Sequence, residues 1–412
     1  MTTNHRRIRR GAYAAALITA AFAASPGFAA EEKKPTVSAA MQKPLVEIQE
    51  LLKAGKFPEA VEKLKAADAM SGKSPYDQFV INQDMAMACQ KTNDTPCLTK
   101  ALAGLSGDAY TPPEDAQRYT RAVAGLNYQA KQYDQAIEYG NRAIKGGFAS
   151  DETYLLVASA YYIKGDYPAA AKVAAPHIAD TIKAGKKPNG DELNVYMSAC
   201  AKTNDQAGLQ QALEYQVTYN PTPENWYNLL AMVRQKASGD IETMQTYRLM
   251  LTVGSMKGPE DYIEMADIAM RLGDPGEARS ALQAGTEKGV FSGNTQDRSQ
   301  HMIQDAKKAA AADEPTLAKA EPDADAASTG VKNAAVGLGY LGYQQYDKAV
   351  AQLSKAVSKG GLKNDADTRL LLGIAELKAG HKDDALKTFA TVKGSPVLER
   401  LAALWTIYAR QS

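Results

Sequence analysis

Gly165-Asp166-Tyr167-Pro168-Ala169-Ala170 reads as a turn between two helices, and the chain repeats it. Related phrases are Gly55-Lys56-Phe57-Pro58-Glu59-Ala60, Lys131-Gln132-Tyr133-Asp134-Gln135-Ala136 and Gln344-Gln345-Tyr346-Asp347-Lys348-Ala349. Each has a small or polar pair, an aromatic, and an alanine three positions on. Tyr133 and Tyr167 lie 34 positions apart, as do Ile241 and Pro275 at the equivalent point of two other copies. A fixed period of this size predicts stacked helix pairs that bury their apolar faces only against neighbours. Binding is the mode of action such stacks suggest.

The stretch before the quoted turn gives the first helix of a pair, Tyr154 to Ile163. Tyr154, Val157, Ala158 and Tyr161 share one face, and Ala158 is small where a second helix must come close. Pro168 then opens the second helix as a first-turn proline. The same layout predicts nine copies starting near 45, 76, 114, 151, 190, 223, 259, 330 and 366. Proline and acid signals mark several starts, as in Thr111-Pro112-Pro113-Glu114-Asp115 and Pro221-Thr222-Pro223-Glu224. The turn from Lys236 to Asp240 reads as about two residues longer than the others. Pro396 to Gln411 is an amphipathic helix expected to cap the last repeat. From Pro275 to Tyr346 is 71 residues, about two periods, with no turn phrase midway. That segment, 292–329, reads as a degenerate helix pair or a flexible linker.

The pattern resembles the tetratricopeptide repeat. Asn333, Val336-Gly337, Tyr340, Tyr346, Ala349 and Ala356 carry the likeness in one copy, and Arg369, Leu372-Gly373, Gly380, Ala385 and Phe389 in another. Trp226 with Leu229-Leu230 opens a further copy. The resemblance implies an all-α, right-handed superhelical solenoid of about nine helix pairs with a C-terminal capping helix. The whole chain also resembles exported, repeat-only proteins of this family from proteobacteria that have no assigned biochemical role. Leu372-Gly373-Ile374-Ala375 and Leu404-Trp405-Thr406-Ile407-Tyr408-Ala409-Arg410 are the most specific points of that likeness.

The first thirty residues read as a secretory signal. A basic stretch, His5 to Arg10, precedes an apolar run too short for a bilayer, and small residues end at Ala30. The expected organisation is a cleaved signal at 1–30, a mobile tail at 31–44, seven repeats over 45–291, the irregular 292–329, and two repeats with a cap over 330–412. The expected compartment is the bacterial periplasm or the medium. No stable membrane insertion is expected after cleavage. The formal charge is +1, from 48 basic and 47 acidic residues; without Arg6, Arg7, Arg9 and Arg10 the basic count is 44 and the net charge −3. A near-neutral chain with no basic run argues against nucleic acid as a partner. Cys89 and Cys97 flank a turn, close enough for a disulfide that would leave Cys200 free and buried. Three buried thiols are the alternative, supported by the matching phrases Ala88-Cys89-Gln90-Lys91-Thr92-Asn93-Asp94 and Ala199-Cys200-Ala201-Lys202-Thr203-Asn204-Asp205.

No catalytic constellation emerges. The four histidines, His5, His177, His301 and His381, have no nucleophile or carboxylate at an informative spacing, and His177 reads as a helix-packing residue. No phosphate loop, metal set or cofactor motif is present, so the sequence predicts neither a cofactor nor an enzyme. The family resemblance instead implies a concave groove lined by first-helix residues. Carried over by position, these are Arg118, Arg121, Tyr128, Leu155, Ser159, Tyr162, Asn194, Ser198, Tyr227, Asn228 and Arg234. Tyrosines and amides suit an extended peptide, although Tyr128 and Tyr162 also suit packing between units. The family's carboxylate clamp is not expected, because Glu260 stands where a lysine is required. The expected function is an exported scaffold that binds an envelope protein or extended peptide. A glycan or cell-wall fragment is the alternative ligand.

Overall fold

A computed structural model describes residues 35–412. The expected export signal, and the first residues of the expected tail, lie outside that range. Among the described residues there are helices and no strands. By contact clustering the chain divides after Ala101 into two units.

The first unit contains α1 (Ala39–Lys53), α2 (Phe57–Ala69), α3 (Pro75–Thr92) and the start of α4 (Thr95–Leu105). The expected tail is corrected here, because α1 begins at Ala39 and Met41 is wholly buried. Pro44 is a helix-start signal in the sequence but sits inside α1, where it removes one backbone donor. Cys89 and Cys97 form a disulfide, and Cys200, in the other unit, is a free buried thiol. The reading of three free thiols is therefore overturned.

The second unit continues with α5 (Pro113–Gln129), α6 (Tyr133–Lys145), α7 (Asp151–Ile163), α8 (Tyr167–Lys183), α9 (Gly190–Thr203) and α10 (Gln206–Tyr219). Then come α11 (Pro223–Arg234), α12 (Asp240–Thr252), α13 (Pro259–Arg271), α14 (Pro275–Glu287) and α15 (Asn294–Ala326). The last five are α16 (Val331–Gly342), α17 (Tyr346–Lys359), α18 (Asp365–Lys378), α19 (Lys382–Ala390) and α20 (Pro396–Gln411). Successive helices pack as antiparallel pairs, an all-α repeat solenoid.

The turn phrase has a physical explanation in each position. Gly165 has φ +83°, and its N–H bonds to Tyr162 O while Asp166 N–H reaches Tyr161 O, so the left-handed residue ends α7. The Asp166 carboxylate accepts from Ala169 N–H at 3.1 Å and caps α8. Asn93, Lys131, Asn204 and Gln344 hold the same left-handed position in other repeats, at φ between 55° and 61°. Asparagine tolerates this conformation best, whereas Lys131 and Gln344 carry a cost of about 1 kcal/mol each. The recurring alanines Ala60, Ala136, Ala170 and Ala349 are all fully buried. They let the second helix approach the first.

The segment expected to be a helix pair or a linker is a single 33-residue helix, α15. It runs through Pro315 and Pro322 because its buried residues Ser299, Ala306, Ala310, Leu317 and Ala324 form a seam against α14 and α16. Packing along that seam outweighs two lost backbone bonds. Tyr343 Oη donates to Asp313 Oδ2 at 2.9 Å, and buried Asn333 donates to Asp325 Oδ1 at 3.0 Å, pinning the middle and the C-terminal end of α15.

The C-terminal helix does more than cap. α20 packs on α18 and α19, and also on α10, α11 and α12. Gln411 Nε2 donates to Val217 O at 2.8 Å, Ser395 Oγ donates to Glu242 Oε1 at 2.6 Å, and Arg400 pairs with Glu214. The segment α10–α20 thus closes on itself, while the stack of α5 to α9 does not take part in that closure.

Candidate functional site

In the open part of the stack, the first helices of adjacent pairs touch: α5 meets α7, and α7 meets α9. No second-helix pair in the unit comes as close, so the first helices form the inner row of a curve. The residues expected to line a groove fall on or beside this row, and the structure gives most of them local partners.

On α5, Arg118 pairs with Asp115 at 2.7 Å, and Arg121 Nη1 donates to Phe148 O at 2.8 Å across the next turn. Tyr128 meets Tyr133 edge-on at 5.7 Å, and Tyr162 meets Tyr167 likewise at 5.1 Å. Each tyrosine that ends a first helix therefore packs on the aromatic of its own turn phrase. Both tyrosines are half-buried. Tyr128 also hydrogen-bonds Ser159 of α7, and burial pushes its phenol upward in pKa. Leu155 is buried, so it belongs to the core and not to a groove. Asn194 is exposed; its Oδ1 accepts from Gln216 Nε2 at 2.8 Å, which leaves its two N–H donors facing water.

On α11, Lys257 Nζ sits 3.8 Å from the centre of the Tyr227 ring, a cation–π contact. Asn228 is half-buried. Arg234 joins three helices: its Nη1 bonds Tyr247 Oη at 2.5 Å and Asp261 Oδ1 at 3.1 Å. Burial works against the guanidinium charge, but Tyr247, Asp261 and Glu264 hold its pKa above the ordinary value. These contacts make Arg234 a staple between α11, α12 and α13.

A second feature was not legible from repeat spacing. Where α12, α16 and α18 converge, a recess of about 260 Å³ opens, walled by Ile241, Leu272, Ala335, Leu338, Leu362 and Leu371. Arg248 and Asp367 give it a polar side. It adjoins a wider recess of about 530 Å³ that reaches the α11–α12 turn and Ser395. Arg248 is 7% exposed and holds Glu277 in a fork: Nε bonds Glu277 Oε1 at 2.8 Å and Nη2 bonds Glu277 Oε2 at 2.6 Å. Asp367 Oδ1 accepts from Gln245 Nε2 at 2.7 Å. Burial raises the Asp367 carboxyl above its usual range, with Arg248 acting in the other direction. The fully buried Asp274 is pushed well above that range, by burial first and by Glu277 next. Seven consecutive residues of α12, Met244 to Met250, are buried although Gln245, Thr246 and Arg248 are polar, so the helix is covered on every side and the sequence pattern gave no sign of it.

At the wider recess the hydroxyls of Ser238 and Ser395 both donate to the Glu242 carboxylate, contacts that tie the α11–α12 turn to the start of α20. Among the described residues no group of His, Cys, Asp and Glu is placed to hold a metal, and no helix is long and apolar enough to cross a membrane.

No family model and no curated protein matches the chain. Solved structures similar to it are helical-repeat proteins. The TPR2AB domain of yeast Sti1, in its complex with pHSP90, is 14% identical, covering 73% of this chain and all of that one, with a TM-score of 0.24. A tetratricopeptide repeat protein from Parabacteroides merdae is 12% identical, covering 66% of this chain and all of that one, at a TM-score of 0.28. The maize pentatricopeptide repeat protein PPR10 is 16% identical, covering 88% of this chain and 55% of that one, at 0.29.

Proposed function

We propose that the chain is an exported, non-catalytic interaction scaffold whose α5–α7–α9 row receives another envelope protein or an extended peptide. One observation carries this reading: the row is open, and it presents a half-buried tyrosine on each of α5 and α7 and the free amide donors of Asn194 on α9. Tyrosine gives contact area at low entropic cost, and an amide can pair with a peptide backbone. The basic signal, the short apolar run and the small-residue end at Ala30 support export.

The test is recovery of the tagged mature protein after mild crosslinking in cells, beside a Tyr162→Ala, Asn194→Ala variant. A single dominant partner is expected with the parent and should fall at least about tenfold with the variant, as for two interface hot-spot residues. Equal recovery from both would remove the row as the binding face. It would turn attention to glycans and cell-wall fragments.

A further inference from the structure

The junction of α7, α8 and α9 contains a histidine between two carboxylates. His177 Nδ1 lies 2.9 Å and 3.0 Å from the Glu192 oxygens, and Nε2 lies 3.2 Å from Asp151 Oδ1. The imidazole stacks on Tyr154 with ring centres 4.0 Å apart and planes 7° from parallel. Glu192 is 1% exposed, and the His177 side chain 12%. These contacts tie the first turn of α7 and the first turn of α9 to the middle of α8.

Counting protons is decisive here. A neutral imidazole has one N–H, yet both ring nitrogens face carboxylate oxygens at hydrogen-bond distance. The cluster is satisfied only with one additional proton. It resides on the ring as imidazolium or on Glu192, whose carboxyl burial pushes upward while the His177 charge opposes that shift. The other ionisable side chains around the junction are Glu152 on α7, Lys172 and Asp180 on α8, and Asp191 on α9. All four are exposed, so water screens them.

We propose that His177, Glu192 and Asp151 form a pH-responsive pin that fixes the angle between the fourth and fifth helix pairs. When the extra proton leaves, a nitrogen lone pair faces a carboxylate oxygen, and attraction becomes repulsion. The attraction is present on the acid side, while the extra proton is held, and is lost as pH rises and the cluster gives that proton up; the buried Glu192 carboxyl, raised by burial, has the same sign. Because α7 and α9 belong to the inner row, the pin sets the local curvature of that row. It does so whatever the row binds.

Backbone hydrogen exchange on the mature protein, corrected for intrinsic rates, tests this at about pH 6 and about pH 8.5. Amides over 190–196 should lose about tenfold protection at the higher pH, while those of α17 and α18 stay constant. His177→Gln should abolish the difference. If that variant loosens α8 and α9 at both pH values, Asp151→Asn decides the matter, since it keeps a polar first turn on α7. A reduced pH response in it supports the pin. Equal wild-type protection at the two pH values, or an unchanged response in Asp151→Asn, overturns it.

Discussion

Replacing Arg248 with alanine should destabilise the unit Leu102–Ser412 by about 3–5 kcal/mol, the cost of leaving buried carboxylates without their cation. Three of them surround it: Glu277 holds it with three hydrogen bonds, Asp274 lies 3.9 Å away, and Asp367 acts on it electrostatically. The four groups come from α12, α14, the turn before α14, and α18, so the loss spreads across three repeats. Urea unfolding is the measurement. The deficit should grow with pH. Carboxyls raised by burial are neutral in both states at low pH, and their folded-state penalty appears as pH rises through their elevated range. A paired Arg248→Met, Glu277→Met variant should recover a large part of the stability, because it removes both charges together.

Trp405→Ala should cost about 3–5 kcal/mol and release α20 from its seat. Trp405 is fully buried, with Phe389 at 6.2 Å and Tyr408 at 5.8 Å between ring centres. Its Nε1 has no hydrogen-bond partner among the described residues, so packing is what it contributes. Trp405→Phe should accordingly keep most of the stability. Limited proteolysis separates the two effects: cleavage near Gly394 should accelerate in the alanine variant, while sites in α5 to α9 stay protected. If cleavage spread evenly along the unit, α20 would be an ordinary cap and not the closure of α10–α20.

The repeat register was legible because each local signal has a strong physical cause. Expected starts at 76, 114, 151, 190, 223, 259, 330 and 366 fall within one residue of the first helices from α3 to α18. Proline in the first turn, a left-handed residue at the turn, and buried alanine in the second helix all agree there. The misses are equally specific. Pro44 hid the start of α1, since a proline of the kind that begins several helices here is tolerated inside one. The segment 292–329 read as a helix pair or a linker, yet the seam from Ser299 to Ala324 keeps α15 continuous through Pro315 and Pro322. Closure by α20 depends on pairs such as Ser395 with Glu242 and Gln411 with Val217, far apart in sequence and invisible to periodicity. The site was only partly legible. Position along a first helix placed Tyr128, Tyr162 and Asn194 near the inner row, but it could not show that Arg121 and Arg234 spend their donors on neighbouring turns and helices.

The claim that the α5–α7–α9 row takes the partner is tested most directly by site-specific photocrosslinking in living cells. A photoreactive residue replaces exposed Asn194 on that row in one strain, and Val331, 42% exposed beside the closed recess, in another. The account predicts one dominant protein adduct from position 194 and none from 331. An adduct from 331 with none from 194 would contradict it and move recognition to the closed end of the stack.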